Sequence, residues 1–535
     1  METPTLFKAK SLLLLAILAL LVGQGRAQAD VESNLPIFVI TTGNQRIVDE
    51  PKIDVQLTVH EPVAAGNATT ITFDGFAGIE SRGRSSQSFD KKSFGLETRD
   101  STGENLNVSL LDLPPENDWV LYGPYADKSL IRNALTYELA RSLGHYAPRV
   151  RMIELVIDTE YRGVYMLTEK IKRDANRVDI KKLTSSSLDL TGDYLFEINF
   201  DLESPQSGWT SRISYRPDFQ TFSDYSFTSP KPEDISSNQA DYIENWVHNL
   251  EDILSSPDFA NPSTGYASKI DTDSWIDYIL LNELSRDVDA YIGSTFLIKK
   301  SDDQGGRLHA GPVWDHNLSY GNSDYCGGQS IEGFAIEFED VCQWRVAPII
   351  FANVWQDPSF RRETAERWFS LRDHELGPDL FSKLDSLGDL LKVPARRNYE
   401  RWPVLDTYLW PNAFVGKTYQ DELQYLGNWI SRRLDWLDQE FAKELQLQLP
   451  QSRSATISPN PSAEYSTPHI DFIKPLIANA EVQIIDMKGN VQGAFTAVAS
   501  ARHVPIPLAL AKGVYVVTFQ LAPTSEREYL RLVIQ

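Results

Sequence analysis

The chain is short of several things, and each shortage narrows what it can be. Its 535 residues include only two cysteines, Cys326 and Cys342, too few for a disulfide-dense scaffold. With no histidines clustered beside them, a structural zinc site has no sequence signature either. Basic residues are in deficit: 51 Lys and Arg stand against 74 Asp and Glu, a formal charge of −23. That excludes sequence-independent nucleic-acid binding, which needs cations to displace counterions. It suits a protein facing water or cationic partners. After residue 23 no apolar run is long enough to span a bilayer. The glycine signatures GxGxxG and GxxxxGK[ST] are missing, so a phosphate site must be built some other way.

The one long apolar run lies at the N-terminus. Lys8 and Lys10 precede SLLLLAILALLVG (11–23), and small residues follow as far as Ala27 and Ala29. That order is the grammar of an export signal peptide, placed at 1–29, with an uncleaved anchor as the alternative. In an exported chain the two cysteines read most simply as one disulfide, Cys326–Cys342, against two free thiols. Apolar content of 42% and aromatic content of 11% make the remainder globular, with room for two or three domains.

Strand patterns run through LPIFVITT (35–42), KIDVQLTVHEP (52–62), TITFDGFAGIE (70–80) and KKSFGLETRD (91–100). A helix is expected from about 128 to 143, closed by Gly144. MIELVID (152–158) and GVYMLTEKI (163–171) read as a buried hairpin, and GDYLFEINF (192–200) as a further strand. Residues 201–268 are rich in Ser, Pro, Asp and Asn around a helix at 237–255. DSWIDYILLNELS (273–285) is apolar nearly all round and so is expected as a buried helix. STFLIKK (294–300) and HAGPVWD (309–315) look like strands, and 346–447 is helical. QLQLPQSRSATISPNPSAEYSTP (446–468) is linker-like. Short strands and a Lys-Gly-Asn turn follow, an all-β module.

Three places could carry chemistry. In SLIRNALTYELARSLG (129–144), Glu138 falls on the apolar face with Leu130, Ile131, Ala134, Leu135 and Leu139. A carboxylate buried there needs a cation, Lys91 or Lys92 from the preceding strand; alternatively it is a helix-edge Glu that snorkels to water or pairs with Arg141. In ESRGRSSQSFDKKS (80–93), Arg82, Ser85 and Ser86 offer a cation, hydroxyls and turn amides; that is either a phosphate cradle or a solvated turn. Third, RDVDAY (286–291) puts Asp287 and Asp289 just past a helix C-terminus, where the dipole disfavours them. About 25 residues on, GPVWDHNLSYGN (311–322) brings Asp315 out of a short strand. Something positive, a metal or an arginine, should compensate the pair; Asx turns would explain each Asp singly, and a metal would explain the ordered set.

These segments resemble a family, the CotH kinases, named for spore coat protein H. The resemblance covers about 34–440. It rests on RGRSSQSFDKKSFGLE, DWVLYGPYADKSLIRNALTYELARSLG, YRGVYMLTEKIKRDANRVDI, WIDYILLNELSRDVDAY and GPVWDHNLSYGN. It implies an α+β, atypical protein-kinase-like fold of two lobes, about 30–200 and 201–445. It also implies transfer of the γ-phosphate of ATP, with Mg2+ or Mn2+, to serine or threonine of secreted or surface proteins. On this resemblance Asp289 is the catalytic base and Asp315 a metal ligand. Lys91 and Lys92 are the KKS lysines, one of them reaching phosphate. Arg82, Ser85 and Ser86 line the nucleotide turn, Glu138 lies in the family's RNxLxYELA helix (its pairing with a lysine comes from the helical wheel, not from the resemblance), and Glu169 edges the nucleotide hinge. Members often read WDFD where this chain has Trp314, Asp315, His316 and Asn317. An Asn can still ligate through its carbonyl, but one charge is lost and metal affinity should fall. A scaffold that has lost activity, or a nucleotide-dependent transferase with other chemistry, fits the same motifs.

The tail resembles a second family, the C-terminal sorting domains of type IX secretion substrates, through SPNPSAE, DMKGNV and GVYVVTF. That implies a linker at 446–460 and a small immunoglobulin-like β-sandwich at 461–535. It further implies a Bacteroidetes-type bacterium, partnership with the type IX machinery, and an outer-membrane surface or extracellular destination.

Overall fold

The alternation in LPIFVITT and KIDVQLTVHEP closes, in space, into a barrel. The computed structural model describes residues 33–63, 69–214, 222–372 and 374–446, and in the C-terminal part 455–458, 460, 462, 467–472, 476, 478–486, 490–511, 513–521 and 528–534. The expected signal peptide, most of the linker and the centre of the Lys-Gly-Asn turn lie outside these residues. β1 (Ile37–Thr41), β2 (Ile53–Pro62), β3 (Thr69–Arg82), β4 (Ser93–Arg99), β5 (Asp118–Tyr122), β6 (Val150–Ile157) and β7 (Glu160–Glu169) form the ring, in the order β1-β2-β3-β4-β5-β7-β6. The parallel pairing of β1 with β6 shuts it, Ile37 opposite Glu154. On β2, Val55, Leu57 and Val59 point inward on alternate residues and meet Ile79, Leu96 and Leu121.

β6 and β7 are apolar on both faces because both faces are covered. Ile153, Leu155, Tyr165 and Leu167 fill the barrel, while Met152, Val164 and Met166 join a larger core built mainly from helices. That body holds α1 (Arg132–Ser142) and a five-stranded sheet, β8 (Tyr194–Asn199), β9 (Gly208–Thr210), β10 (Asp224–Ser229), β11 (Thr295–Lys299) and β12 (Leu308–Ala310), ordered β12-β11-β8-β10-β9. Its other helices are α2 (Ser237–Leu254), α3 (Thr272–Ser285), α4 (Ile349–Gln356), α5 (Pro358–Arg372), α6 (Pro378–Leu391), α7 (Pro394–Arg401) and α8 (Tyr419–Glu444). With 29% of residues helical and 27% in strands, the fold is mixed α and β. None of the described helices is long and apolar enough to cross a membrane.

Three boundaries differ from the sequence expectation. α1 starts at Arg132 rather than near 128, because Asp127 folds residues 127–131 into a turn, accepting the N–H of Ser129 (3.1 Å) and Arg132 (3.0 Å). The strand expected at 309–315 stops at Ala310; Gly311 has φ +102 and Pro312 has no N–H to continue the ladder. The polar stretch 201–268 contains two strands as well as its helix. There Trp209 and Tyr225 stack at 5.0 Å against Phe196, and cross-strand aromatics outweigh the polar composition.

The C-terminal part is two small sheets. β13 (Ala455–Ser458), β14 (His469–Phe472) and β17 (His503–Pro505) form one; β15 (Ala480–Asp486), β16 (Val491–Ala497), β18 (Gly513–Phe519) and β19 (Glu528–Ile534) form the other. Ile470, Phe472, Val482, Ile484, Val517 and Leu532 are buried together.

Candidate functional site

The site grows from the end of α3. Asp271 caps the helix by accepting the Ser274 N–H, and the residues from Ser274 to Ser285 are buried. Glu283, fully buried, accepts the N–H groups of Ala335 (2.5 Å) and Ile336 (2.9 Å) and the Tyr291 hydroxyl (2.9 Å). The guanidinium of Arg433 lies beside it and donates to the Glu283 carbonyl at 2.7 Å. Arg286 then ends the helix in the left-handed region, φ +47. Its guanidinium donates to the Gly333 carbonyl (2.9 Å) and to that of Gly327. These contacts strap the loop between Cys326 and Cys342, which a disulfide closes, beneath the acidic loop.

The acidic loop is left electrically unfinished. Asp287 Oδ1 accepts the Asp289 N–H at 2.8 Å, but its Oδ2 is buried without a hydrogen-bond partner. Asp289 Oδ1 lies 2.7 Å from Arg345 Nη2, an ion pair whose N–H is not aligned as a hydrogen bond. Arg345 is itself held over the rings of Trp344 (4.4 Å) and Phe200 (5.2 Å). Asp315 faces this loop from a left-handed turn (φ +61), its N–H donating to the Tyr137 hydroxyl at 3.0 Å. Solvent reaches Asp315, yet the surrounding protein is dense: burial, then the charge of Asp289, push its pKa up to about 6 against the pull of Arg82. Asp287 is pushed well above the usual carboxylate range by burial, then by Asp289 and Asp315. The three carboxylates line one narrow polar cleft with Asn282, Thr295 and His316. Burial holds the His316 pKa down to about 3, so its ring adds no balancing charge.

α1 holds Asp315 in place. Arg132 pairs with Asp127 (2.6 Å) and donates to the Ser319 carbonyl (3.0 Å); Thr136 and Tyr320 share a hydroxyl hydrogen bond (2.9 Å). The Tyr137 ring stacks on Trp314 at 5.9 Å. On the barrel side Arg82, at the end of β3, covers the same Trp314 ring at 5.9 Å, and Asp315 is the foremost charge opposing the fall that burial imposes on its pKa.

Of the residues singled out from sequence, the structure therefore gathers Arg82, Asp287, Asp289 and Asp315. It does not gather the others. Lys91 is buried, its Nζ donating to the Val164 carbonyl (2.6 Å), Asn398 Oδ1 (2.8 Å) and the Pro124 carbonyl (3.3 Å). It pins the barrel to α7 and is not among the groups lining the acidic cleft. Lys92 donates to the Gln87 carbonyl (2.6 Å), steadying the turn that contains the exposed Ser85 and half-buried Ser86. Glu138 pairs with neither lysine; burial raises its pKa and its charged neighbours are Arg141, Lys383 and Arg151. Glu169 is buried, accepting the Arg149 N–H (2.9 Å) and guanidinium (2.8 Å). Asn317 gives its backbone carbonyl to Asn322 Nδ2 (2.9 Å), and its side chain is not among the groups lining the acidic cleft.

Two further charged groups feel Arg82 without lining the acidic cleft. Lys170 follows β7; burial lowers its pKa, Asp118 opposes that, and the charge of Arg82 adds to the fall. Two cations pressing on each other make a place for an anion. Glu197 on β8 is raised to about 7 by burial and by Glu203, against its Asn199 hydrogen bond and Arg82. Lys170 stands beside Glu169 in GVYMLTEK, and Tyr137 beside Glu138 in the α1 motif. The motifs were the signal, and the neighbouring residue carries the contact. Glu197 and Arg345 have no local signal.

The donors Asp287, Asp289 and Asp315 are all hard oxygens, which fits Mg2+ or Mn2+, and the unpartnered Oδ2 of Asp287 is an atom such an ion would satisfy. Their oxygens are spread wider than one coordination shell; among the described residues the one carboxylate–imidazole trio within 4.8 Å lies in the C-terminal sheets. A family model described as CotH kinase protein matches residues 79–437, from within β3 to within α8 and across the whole cleft. No match to a curated protein was found.

Proposed function

Because the chain belongs to the CotH kinase family, we propose that it is an exported phosphotransferase moving the γ-phosphoryl group of ATP to serine or threonine hydroxyls of secreted or surface proteins. The observation that carries this reading is the cleft itself: three carboxylates crowded together, with Arg345 paired to Asp289, Arg82 facing Asp315, and one oxygen of Asp287 without a partner. Asp287 and Asp315 would hold the divalent ion, which when bound neutralises phosphate charge. Arg82 and Lys170 receive phosphate oxygens. The acceptor oxygen bonds to the γ-phosphorus as the bond to the β–γ bridging oxygen breaks, ADP leaves, and the hydroxyl proton passes to Asp289. Arg345, which covers Asp289, gives way to the acceptor hydroxyl. Catalysis here is positioning and charge stabilisation. The N-terminal basic-apolar-small pattern, together with the disulfide, supports export; the SPNPSAE and GVYVVTF segments support a type IX route.

The test is incubation with ATP labelled at the γ-phosphate, Mg2+ or Mn2+, and a surface-protein extract, beside Asp289→Ala and Asp315→Ala. Label on serine or threonine that both variants lose is the expected result. Equal labelling by folded variants overturns it. The burial of Lys91 away from the cleft favours a second reading, a kinase-like surface scaffold without transfer. Calorimetry separates the two: metal-dependent ATP binding counts against the scaffold. The intact mass of a modified partner would distinguish phosphate from another transferred group.

A further inference from the structure

The C-terminal sheets hold a cluster that the cleft does not use. His469 and Asp471 stand two residues apart on β14 and so share a face. β17 runs antiparallel to β14 and sets His503 directly opposite Asp471. His503 Nδ1 meets Asp471 Oδ1, and His469 Nε2 lies 3.5 Å from Asp471 Oδ2. The two imidazole centroids are 4.0 Å apart. One ligand atom from each residue lies within 4.8 Å of the other two, and solvent reaches all three side chains.

Two protonated rings this close would set two positive charges beside a single carboxylate, whereas two neutral rings offer two lone pairs beside it. Two nitrogens and one carboxylate oxygen suit a borderline transition metal, not Mg2+ or Ca2+, which prefer all-oxygen shells. Zinc bonds of 2.0–2.2 Å in a tetrahedron place ligand atoms roughly 3.3–3.6 Å apart, so shifts of about 1 Å close the trio. The strands also show why an ion would matter. β17 is three residues long and, among the described residues, sits at the edge of its sheet and pairs with β14 alone.

We propose that His469, Asp471 and His503 form a site for a divalent transition metal, with Zn2+ as its ion and water in the fourth position, and that the ion staples β17 to β14. The proposal is independent of the phosphotransferase reading. The sequence offered no hint of it, because His503 lies far along the chain from His469 and Asp471 and only the strand register brings it opposite them.

The test uses the full chain, stripped of metal and titrated with Zn2+ by calorimetry. His469→Gln, His503→Gln and, as a control for zinc in the acidic cleft, Asp315→Ala are run alongside. All three ligands are at least partly exposed, so the histidine variants should fold, and circular dichroism checks this. Each histidine variant should bind this zinc at least about tenfold more weakly, while Asp315→Ala keeps it. Zinc should raise the melting temperature of the unaltered chain more than that of either histidine variant. Cobalt in place of zinc should give the visible absorption of a tetrahedral ion, lost in both. Wild-type zinc stoichiometry and affinity in both histidine variants would overturn the proposal, as would loss of the tight site in Asp315→Ala alone.

Discussion

Glu154 and Glu283 are buried carboxylates, and so is Asp287, but their surroundings are finished differently. Glu154 on the seam takes both arms of Arg397, at 2.9 and 2.6 Å. Glu283 beneath the acidic loop takes two backbone amides, a tyrosine hydroxyl and the flank of Arg433. Asp287, four residues on from Glu283, has one oxygen with no partner, and Asp315 opposite it accepts no hydrogen bond among the described residues. The same chain that satisfies its structural charges leaves these two exposed to each other's repulsion. Burial that is fully compensated holds a fold together; burial left uncompensated marks where something else is meant to bind.

The strongest way to break this contrast is to change one residue from each set. Asp315→Ala should lower phosphoryl transfer by at least about 10³-fold while leaving the melting temperature unchanged or higher, since a repelled charge is removed. A large loss of stability would place Asp315 with the structural carboxylates instead. Glu283→Ala should do the reverse. Removing it leaves the buried Arg433, still bonded to backbone carbonyls, without its counter-charge and two amides without an acceptor, at a cost of about 3–5 kcal/mol, read as a lower midpoint of urea unfolding. A loss under about 1 kcal/mol would mean that the network is not what fixes the acidic loop.

Lysines sharpen the same contrast. Lys170→Ala should weaken metal-dependent ATP binding by roughly 10- to 100-fold, the worth of hydrogen bonds to charged groups, with little change in melting. Lys91→Met should leave ATP affinity alone and lower stability by about 1–3 kcal/mol, because three oxygens lose their donor. If Lys91→Met abolished nucleotide binding in a folded protein, the assignment of the two lysines would have to be exchanged.

That pair also shows how far the sequence could be read. Strand alternation marked most barrel strands, and the spacing from RDVDAY to Asp315 marked the acidic cleft, because both are local patterns. Periodicity put Glu138 on the apolar face of α1, yet it is the one residue from Arg132 to Ala140 that is only half-buried, and periodicity could not name its neighbours. The partners of Lys91 come from residues 124, 164 and 398, and those distances along the chain carry no local signal. The same holds for Arg345, delivered onto Asp289 from beyond the disulfide loop. β5 and the strands within 201–268 were hidden by short length and polar composition; only their cross-strand partners reveal them.

The smallest expected effect concerns Glu197, and it asks whether the uncompensated set extends to the wall formed by β8. Its carboxyl is held up to about 7 in the fold, against an ordinary value of 4.5. The folded chain therefore keeps a proton that the unfolded chain has already lost between those two values. Stability contributed by this group is unchanged below about pH 4.5, falls as the pH rises towards 7, and is flat above that. Asp315 and Asp435 are also raised and slope the same way, so the informative quantity is the difference between variant and unaltered chain. Glu197→Gln should flatten the fall in melting temperature between pH 5 and 7.5 by roughly 2–4 °C. Arg82→Ala, which removes a charge that favours the carboxylate, should move the window to higher pH. Identical melting curves for Glu197→Gln and the unaltered chain across that range would confine the uncompensated charge to the loop after α3 and the turn at Asp315.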